Sequence, residues 1–166
     1  MKDGKSIAIV PGSFDPITYG HISLVEYASE RYDTVYLAVM INDQKQYLFS
    51  LEEREHIAKL ALENIRNAVV ISSEGMLWKL AEELGADAIV KGYRNQTDYE
   101  YELKMAEFNL AHNPNAPTVL IKAEGKYDTL SSTQVRGKLN DGRSISADIP
   151  PQAENAIRTI LNKRKK

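Results

Sequence analysis

The 166 residues contain no cysteine. Disulfide staples, thiolate nucleophiles and cysteine-ligated zinc are excluded, and a reducing compartment is the expected setting. No stretch approaches the roughly 20 apolar residues that cross a bilayer. The apolar run after Met1-Lys2-Asp3-Gly4-Lys5 is too short for the h-region of a secretory signal, so a cytoplasmic protein is expected. An excess of one charge is missing too. The formal net charge of −2 leaves no broad field to gather a polyanion, and neither duplex nucleic acid nor an anionic membrane is expected as the main partner. There is no internal repeat and no low-complexity block. Lys163-Arg164-Lys165-Lys166 reads as the solvated end of a helix. What remains is ordinary globular composition, 43% hydrophobic and 27% charged, at a length that suits one domain with a sizeable core.

Apolar runs of strand length alternate with segments of helical period. Strands are predicted over residues 6–10, 34–39, 68–71, 88–90 and 118–121. Several are continuous and β-branched, as expected of strands covered on both faces. Helices are predicted between and after them. Residues 21–31 carry Ile22, Leu24, Val25 and Ala28 on one stripe. Ser50 and Glu53 form a capping box ahead of Ile57, Leu60 and Ala61. Residues 76–84 end at Gly85, a suitable C′ glycine. Asp98 is expected to cap a helix that runs to about Ala111 and stops before Pro114. Residues 131–139 and 151–161 complete the set. This order predicts an α/β, Rossmann-like, doubly wound five-stranded parallel sheet with helices on both faces, and a site at the carboxyl ends of its strands.

The most informative stretch is residues 6–24. A short apolar run breaks at Pro11-Gly12. The hydroxyl of Ser13 and the turn at Asp15-Pro16 come next, and then Gly20-His21 opens a helix. A strand, glycine loop and helix N-terminus aim backbone N–H groups and the positive end of a helix dipole at one point, where an anion can sit. The loop is neither G-x-G-x-x-G nor G-x-x-x-x-G-K-[ST], which disfavours the usual dinucleotide fingerprint and the P-loop. Nor is there an obvious Ser/His/Asp triad. His21, Lys45, Lys91, Arg94 and the hydroxyls of Ser13, Ser131, Ser132 and Thr133 instead suit reactions in which phosphates are aligned and their charge neutralised.

Each candidate also has a plainer reading. His21 can serve as a helix-start residue, and Ser131-Ser132-Thr133 as an ordinary N-cap. Lys45 sits in a polar loop where a solvated lysine is the default. Arg94 can pair with Asp98 or Glu102. Tyr93, Tyr99 and Tyr101 suit core packing as well as a base platform. His56 and His112 have no motif around them and read as surface or capping residues.

The segment from Pro11 to His21 resembles the signature of nucleotidyltransferases that carry an (H/T)-x-G-H motif after the first strand. Among them, the chain is most similar to the pantetheine-phosphate adenylyltransferases. The likeness extends through Lys45 with Leu48-Phe49-Ser50-Leu51-Glu52-Glu53-Arg54, residues 85–94, Asp98-Tyr99-Glu100-Tyr101-Glu102 and residues 130–136. The resemblance implies transfer of AMP from ATP to 4′-phosphopantetheine, with Mg²⁺ accompanying ATP and a homohexameric assembly. It implies His21 at the α-phosphate, with His21, Lys45 and Arg94 as the catalytic set. Ser13 and Phe14 would meet both substrates. Lys45 and Lys91 would take the acceptor's phosphate, and Leu77 would line its pantetheine arm. Gly92, Tyr93, Arg94, Glu102 and the run Tyr127, Asp128, Thr129, Leu130, Ser131, Ser132 and Thr133 would hold ATP. No side chain is implied as a direct metal ligand.

Five positions depart from that pattern. Lys91 stands where arginine is usual, a point charge in place of a planar fork. Val10 replaces a tyrosine, Gln46-Tyr47 replaces Lys-Pro, and Thr129 stands where an aromatic is common. These positions bear on the acceptor and base pockets, so they bear on substrate identity. A related enzyme using nicotinamide mononucleotide is the nearest alternative, and Ser131 to Arg136 is compatible with it. A nucleotide-binding regulatory module without chemistry is the alternative of another class.

Overall fold

The computed structural model describes residues 4–123 and 125–165. The polar chain ends Met1-Lys2-Asp3 and Lys166 lie outside the described residues. Five strands form one sheet: β1 (Ile7–Gly12), β2 (Thr34–Met40), β3 (Ala68–Ser73), β4 (Ala88–Tyr93) and β5 (Thr118–Lys122). The order is β3-β2-β1-β4-β5, and every pairing is parallel. The helices are α1 (Tyr19–Ser29), α2 (Leu51–Ala61), α3 (Leu77–Leu84), α4 (Gln96–His112), α5 (Ser132–Asn140) and α6 (Pro151–Arg164), with a 3₁₀ turn at Gly125–Tyr127. This is the doubly wound arrangement expected from the alternating pattern.

Alternation of side chains along each strand sorts the core into two layers. Ala8 and Val10 of β1 join Val35, Leu37, Val39 and Val90 beneath Val25, Ile57 and Ile157 of α1, α2 and α6. Ile9, Ala38 and Ile89 face the opposite way and pack on Ala81, Leu77, Leu80 and Leu84 of α3. With both faces covered, the central strands are apolar at nearly every position, which is why they read as continuous runs. Among the described residues, no helix is long and apolar enough to cross a membrane.

Local signals set most boundaries. The capping box of α2 forms as expected: the Ser50 hydroxyl accepts from the Glu53 N–H, and the Ser50 N–H donates to the Glu53 carboxylate. α3 ends on Gly85 in the left-handed region, at φ 65°. Two starts differ from expectation. α1 begins at Tyr19 with Thr18 as N-cap, which places His21 at the third helical position. α4 is capped by Asn95, whose side-chain oxygen accepts from the Asp98 N–H at 2.9 Å. Asn and Asp cap equally well, so residue type alone does not decide between them. Asp98 falls instead in the first turn, where its charge suits the helix dipole.

Strand order reverses about β1. β2 and β3 are added on one side, β4 and β5 on the other. The β1–β2 ladder runs from Ile7 to Gly12, whereas β1 and β4 pair only at Ala8↔Ala88 and Ile9↔Ile89. Beyond that point the two strands no longer bond to each other, and a crevice opens at their carboxyl ends. Open α/β sheets bind their ligands at such a switch point.

Candidate active site

The glycine loop is held from three directions. Arg54, 2% exposed, donates from Nη1 to the Ser13 carbonyl at 2.9 Å and to the Met40 carbonyl at 3.3 Å, and from Nε to the Phe49 carbonyl at 3.2 Å. The buried Asp15 carboxylate accepts from the Leu48 and Phe49 N–H groups at 2.8 and 2.9 Å. From α5, Arg136 donates to the Asp15 carbonyl at 2.9 Å, and the Ser132 hydroxyl to the Pro16 carbonyl at 2.8 Å. The ring of Phe14 demands a glycine at position 12. A Cβ on Gly12 would stand 2.9 Å from Cζ of Phe14, whose own φ is +49°. Phe14 is thereby turned inward, and the His21 ring meets it edge to face with 5.0 Å between centroids.

His21 is both a helix-start residue and a site residue. The Thr18 backbone N–H donates to its Nδ1 at 3.0 Å. The ring proton of the neutral imidazole therefore sits on Nε2 and remains available as a donor. Burial, and second the positive charge of Arg94, lower its pKa from 6.5 to about 4. At neutral pH the group is uncharged, so it can donate a hydrogen bond to a phosphate without carrying a charge of its own.

His21 faces a cavity of about 710 Å³ at the switch point. Val10 and Pro11 of β1, the first turns of α1, Lys91 to Arg94 of β4 and the loop after it, Leu120 to Ala123 at the end of β5, and Tyr127, Leu130, Ser131 and Ser132 ahead of α5 make its walls. The imidazole of α1 and the serines opening α5, 110 residues apart, thus share one cavity. Gly92 lets α1 lie close on β4 at the cavity wall, because a Cβ there would come within 3.1 Å of Leu24 on α1. The serine side chains are engaged in structure: Ser131 caps α5 by accepting from the Gln134 N–H, and Ser132 bonds Pro16. What this turn presents is chiefly the N–H groups of the first turn of α5, which have no partner within the helix.

The cations of the site are largely paired. Lys91 Nζ stands 2.6 Å from Glu102 Oε2, in a pair exposed only 24% and 14%. Arg94 Nε bonds Asp98 Oδ2 at 3.3 Å, so of its two possible partners Arg94 takes Asp98. Lys45, from the loop after β2, reaches the Ser13 hydroxyl at 3.4 Å.

Of the residues singled out in the sequence, Phe14, His21, Lys91, Gly92, Tyr93, Arg94, Tyr127, Leu130, Ser131 and Ser132 line the cavity. Ser13, Lys45, Glu102, Asp128, Thr129 and Thr133 stand outside its wall. Thr133 instead accepts a hydrogen bond from Arg136 at 3.1 Å. Leu77 packs in the core layer on the α3 side of the sheet. Tyr93 and Tyr99 meet edge to face at 4.9 Å, and Tyr101 is 62% exposed. His112, in the last turn of α4, stacks on Trp78. Sequence reasoning gave no site role to Arg54, Asp15, Arg136 or Lys122. Arg54 falls on the same helical stripe as Leu51, Ile57 and Ala58, and a charge on that apolar stripe is the one signal that could have flagged it. Among the described residues, no three His, Asp or Glu side chains converge as a metal site.

A profile of the cytidylyltransferase-like family matches residues 9–138, from within β1 into α5. Among solved structures the fold is similar to that of a protein from Vibrio parahaemolyticus provisionally named a nicotinate-nucleotide adenylyltransferase. The TM-score is 0.66 at 19% identity, over 92% of this chain and 99% of that one. At that identity the likeness is one of fold.

Proposed function

The chain belongs to the cytidylyltransferase-like family, and on that footing we propose that it is an adenylyltransferase moving AMP from ATP to 4′-phosphopantetheine, with dephospho-coenzyme A and pyrophosphate as products. One observation carries the class of reaction: a neutral imidazole donor, the N-terminus of α5 and Arg94 share a single cavity at the strand switch point. The acceptor is inferred from the sequence likeness through Lys45 to Arg54 and Asp98 to Glu102.

In this reading a phosphate oxygen of the acceptor attacks the α-phosphorus of ATP. A new P–O bond forms as the bond to the bridging oxygen of pyrophosphate breaks. The acceptor is already a nucleophile, so the protein supplies alignment and charge stabilisation. His21 Nε2–H donates to the α-phosphate oxygens, where negative charge rises. Each preorganised donor of this kind is worth about 3 kcal/mol of barrier. Gly92, Tyr93, Arg94 and the N–H groups opening α5 hold ATP. Lys45 and Ser13, in contact with each other, together with Lys91, take the acceptor phosphate. Mg²⁺ would accompany ATP and supply further charge neutralisation at its phosphates, with no side chain of this chain assigned as its ligand.

We assign the chain one domain, a cytoplasmic setting and, from the family resemblance, a homohexameric assembly. Exposed Tyr101, Leu103, Met105, Phe108 and Leu110 on α4 are compatible with burial between copies.

The name of the Vibrio parahaemolyticus protein makes a pyridine mononucleotide the second acceptor to test. Pyrophosphate release is measured with ATP or CTP against 4′-phosphopantetheine, nicotinate mononucleotide or nicotinamide mononucleotide. Turnover with ATP and phosphopantetheine alone is expected. Turnover only with a mononucleotide overturns the acceptor, turnover only with CTP overturns the donor, and ATP binding without turnover in any pairing overturns the enzymatic reading.

A further inference from the structure

Among the described residues, four basic side chains line the main cavity, and three of them bring it little net charge. His21 is neutral at pH 7, Lys91 is paired with Glu102, and Arg94 is paired with Asp98. The fourth is Lys122, the last residue of β5, which has no acidic partner among the described residues. The register of the β4–β5 ladder sets Lys122 beside Tyr93. Paired residues point to the same face, so Lys122, Tyr93 and Lys91 rise on one side of the sheet end. Lys122 also lines a second cavity of about 370 Å³, which shares Tyr93 and Arg94 with the first and is closed by Asn95, Gln96 and Tyr99 at the start of α4.

We propose that Lys122 binds the phosphate chain of the nucleotide, as the one uncompensated cation among the described residues where the two cavities join. The assignment rests on the nucleotidyltransferase reading of the site and adds a residue that no motif marks. A chain of phosphates needs positive charge that is not already neutralised, because an ion pair must be broken before its cation can serve a second anion. Lys122 needs no such exchange. Its place between the cavities lets phosphates that extend beyond the reach of His21 stay in contact with a cation.

The test is calorimetric titration of the wild-type chain, Lys122→Met and Lys122→Arg with inorganic tripolyphosphate at two salt concentrations. Steady-state KM values for ATP and for the acceptor accompany it. Lys122→Met is expected to bind tripolyphosphate roughly tenfold more weakly, the size of one lost charge-assisted bond. Its binding should depend less on salt, and the KM for ATP should rise while that for the acceptor holds. Lys122→Arg is expected to restore both, and neither variant should shift the melting temperature. Unchanged tripolyphosphate binding in Lys122→Met overturns the proposal, as does a loss that Lys122→Arg fails to restore. Lys122-dependent binding in a protein that releases no pyrophosphate with any acceptor leaves this assignment standing and overturns the enzymatic reading instead.

Discussion

The Thr18 backbone N–H donates to Nδ1 of His21 over 3.0 Å, so the histidine at the cavity also closes the first turn of its own helix. That bond fixes the tautomer and the ring's direction together. A lone histidine at a helix start would have either role; here the capping role equips the chemical one.

Removing the imidazole should therefore act on two measurements at once. His21→Ala is expected to lower kcat by roughly 10²-fold or more, the cost of one oxyanion donor, with little change in ATP affinity. Loss of the cap contact should lower stability by about 1 kcal/mol. Unchanged kcat would take His21 out of the mechanism.

The depressed pKa of His21 sets a pH window. In the folded protein the imidazole is neutral down to about pH 4, while in the unfolded chain it charges near 6.5. Between those values the unfolded state binds more protons, so stability should rise with pH from about 4 to 6.5, with no further gain from this group above that. An NMR titration of the ring protons should find an apparent pKa well below 6. Arg94→Ala should raise it only part of the way, because burial is the larger cause. A native value near 6.5 would contradict the geometry.

Glu102 shares the charge of Lys91 across 2.6 Å. Glu102→Gln keeps the shape and removes the competitor. It is expected to destabilise the fold by about 1–3 kcal/mol, and to tighten binding of phosphopantetheine measured by calorimetry, since Lys91 no longer divides its attraction. Lys91→Arg should also tighten acceptor binding, through a planar fork. Weaker acceptor binding in Glu102→Gln would mean that Glu102 itself touches substrate.

Arg54 joins the carbonyls of Ser13, Met40 and Phe49 from inside the core. Arg54→Met fills much of the volume but leaves these acceptors unmet. A loss of about 3 kcal/mol or more is expected, read from the denaturant midpoint, together with a higher KM for both substrates as the glycine loop loosens. A stability within about 0.5 kcal/mol of wild type would show that water replaces the guanidinium without cost.

Much of the fold was legible because its signals are local. Strands buried on both faces appear as continuous β-branched runs. The capping box at Ser50 and Glu53 and the left-handed Gly85 each need only a few neighbouring residues to act. The α4 start was misplaced by three residues because Asn95 and Asp98 offer the same capping chemistry, and the choice depends on where β4 delivers the chain. At the site, Pro11-Gly12 and Gly20-His21 marked the strand-to-helix turn that holds the imidazole.

The alternation of strand and helix, the glycine break and the absence of cysteine belong to the sequence by itself, because period, cap and turn chemistry operate over a handful of residues. Which cations are free was decided only by the tertiary structure. Lys91 meets Glu102 because α4 covers that face of β4, and Arg54 finds its three carbonyls because α2 packs under two loops. Lys122, at the end of β5, meets no acidic partner among the described residues. Charge pairing depends on which surfaces meet in space, and a run of residue types does not encode that meeting within its own length.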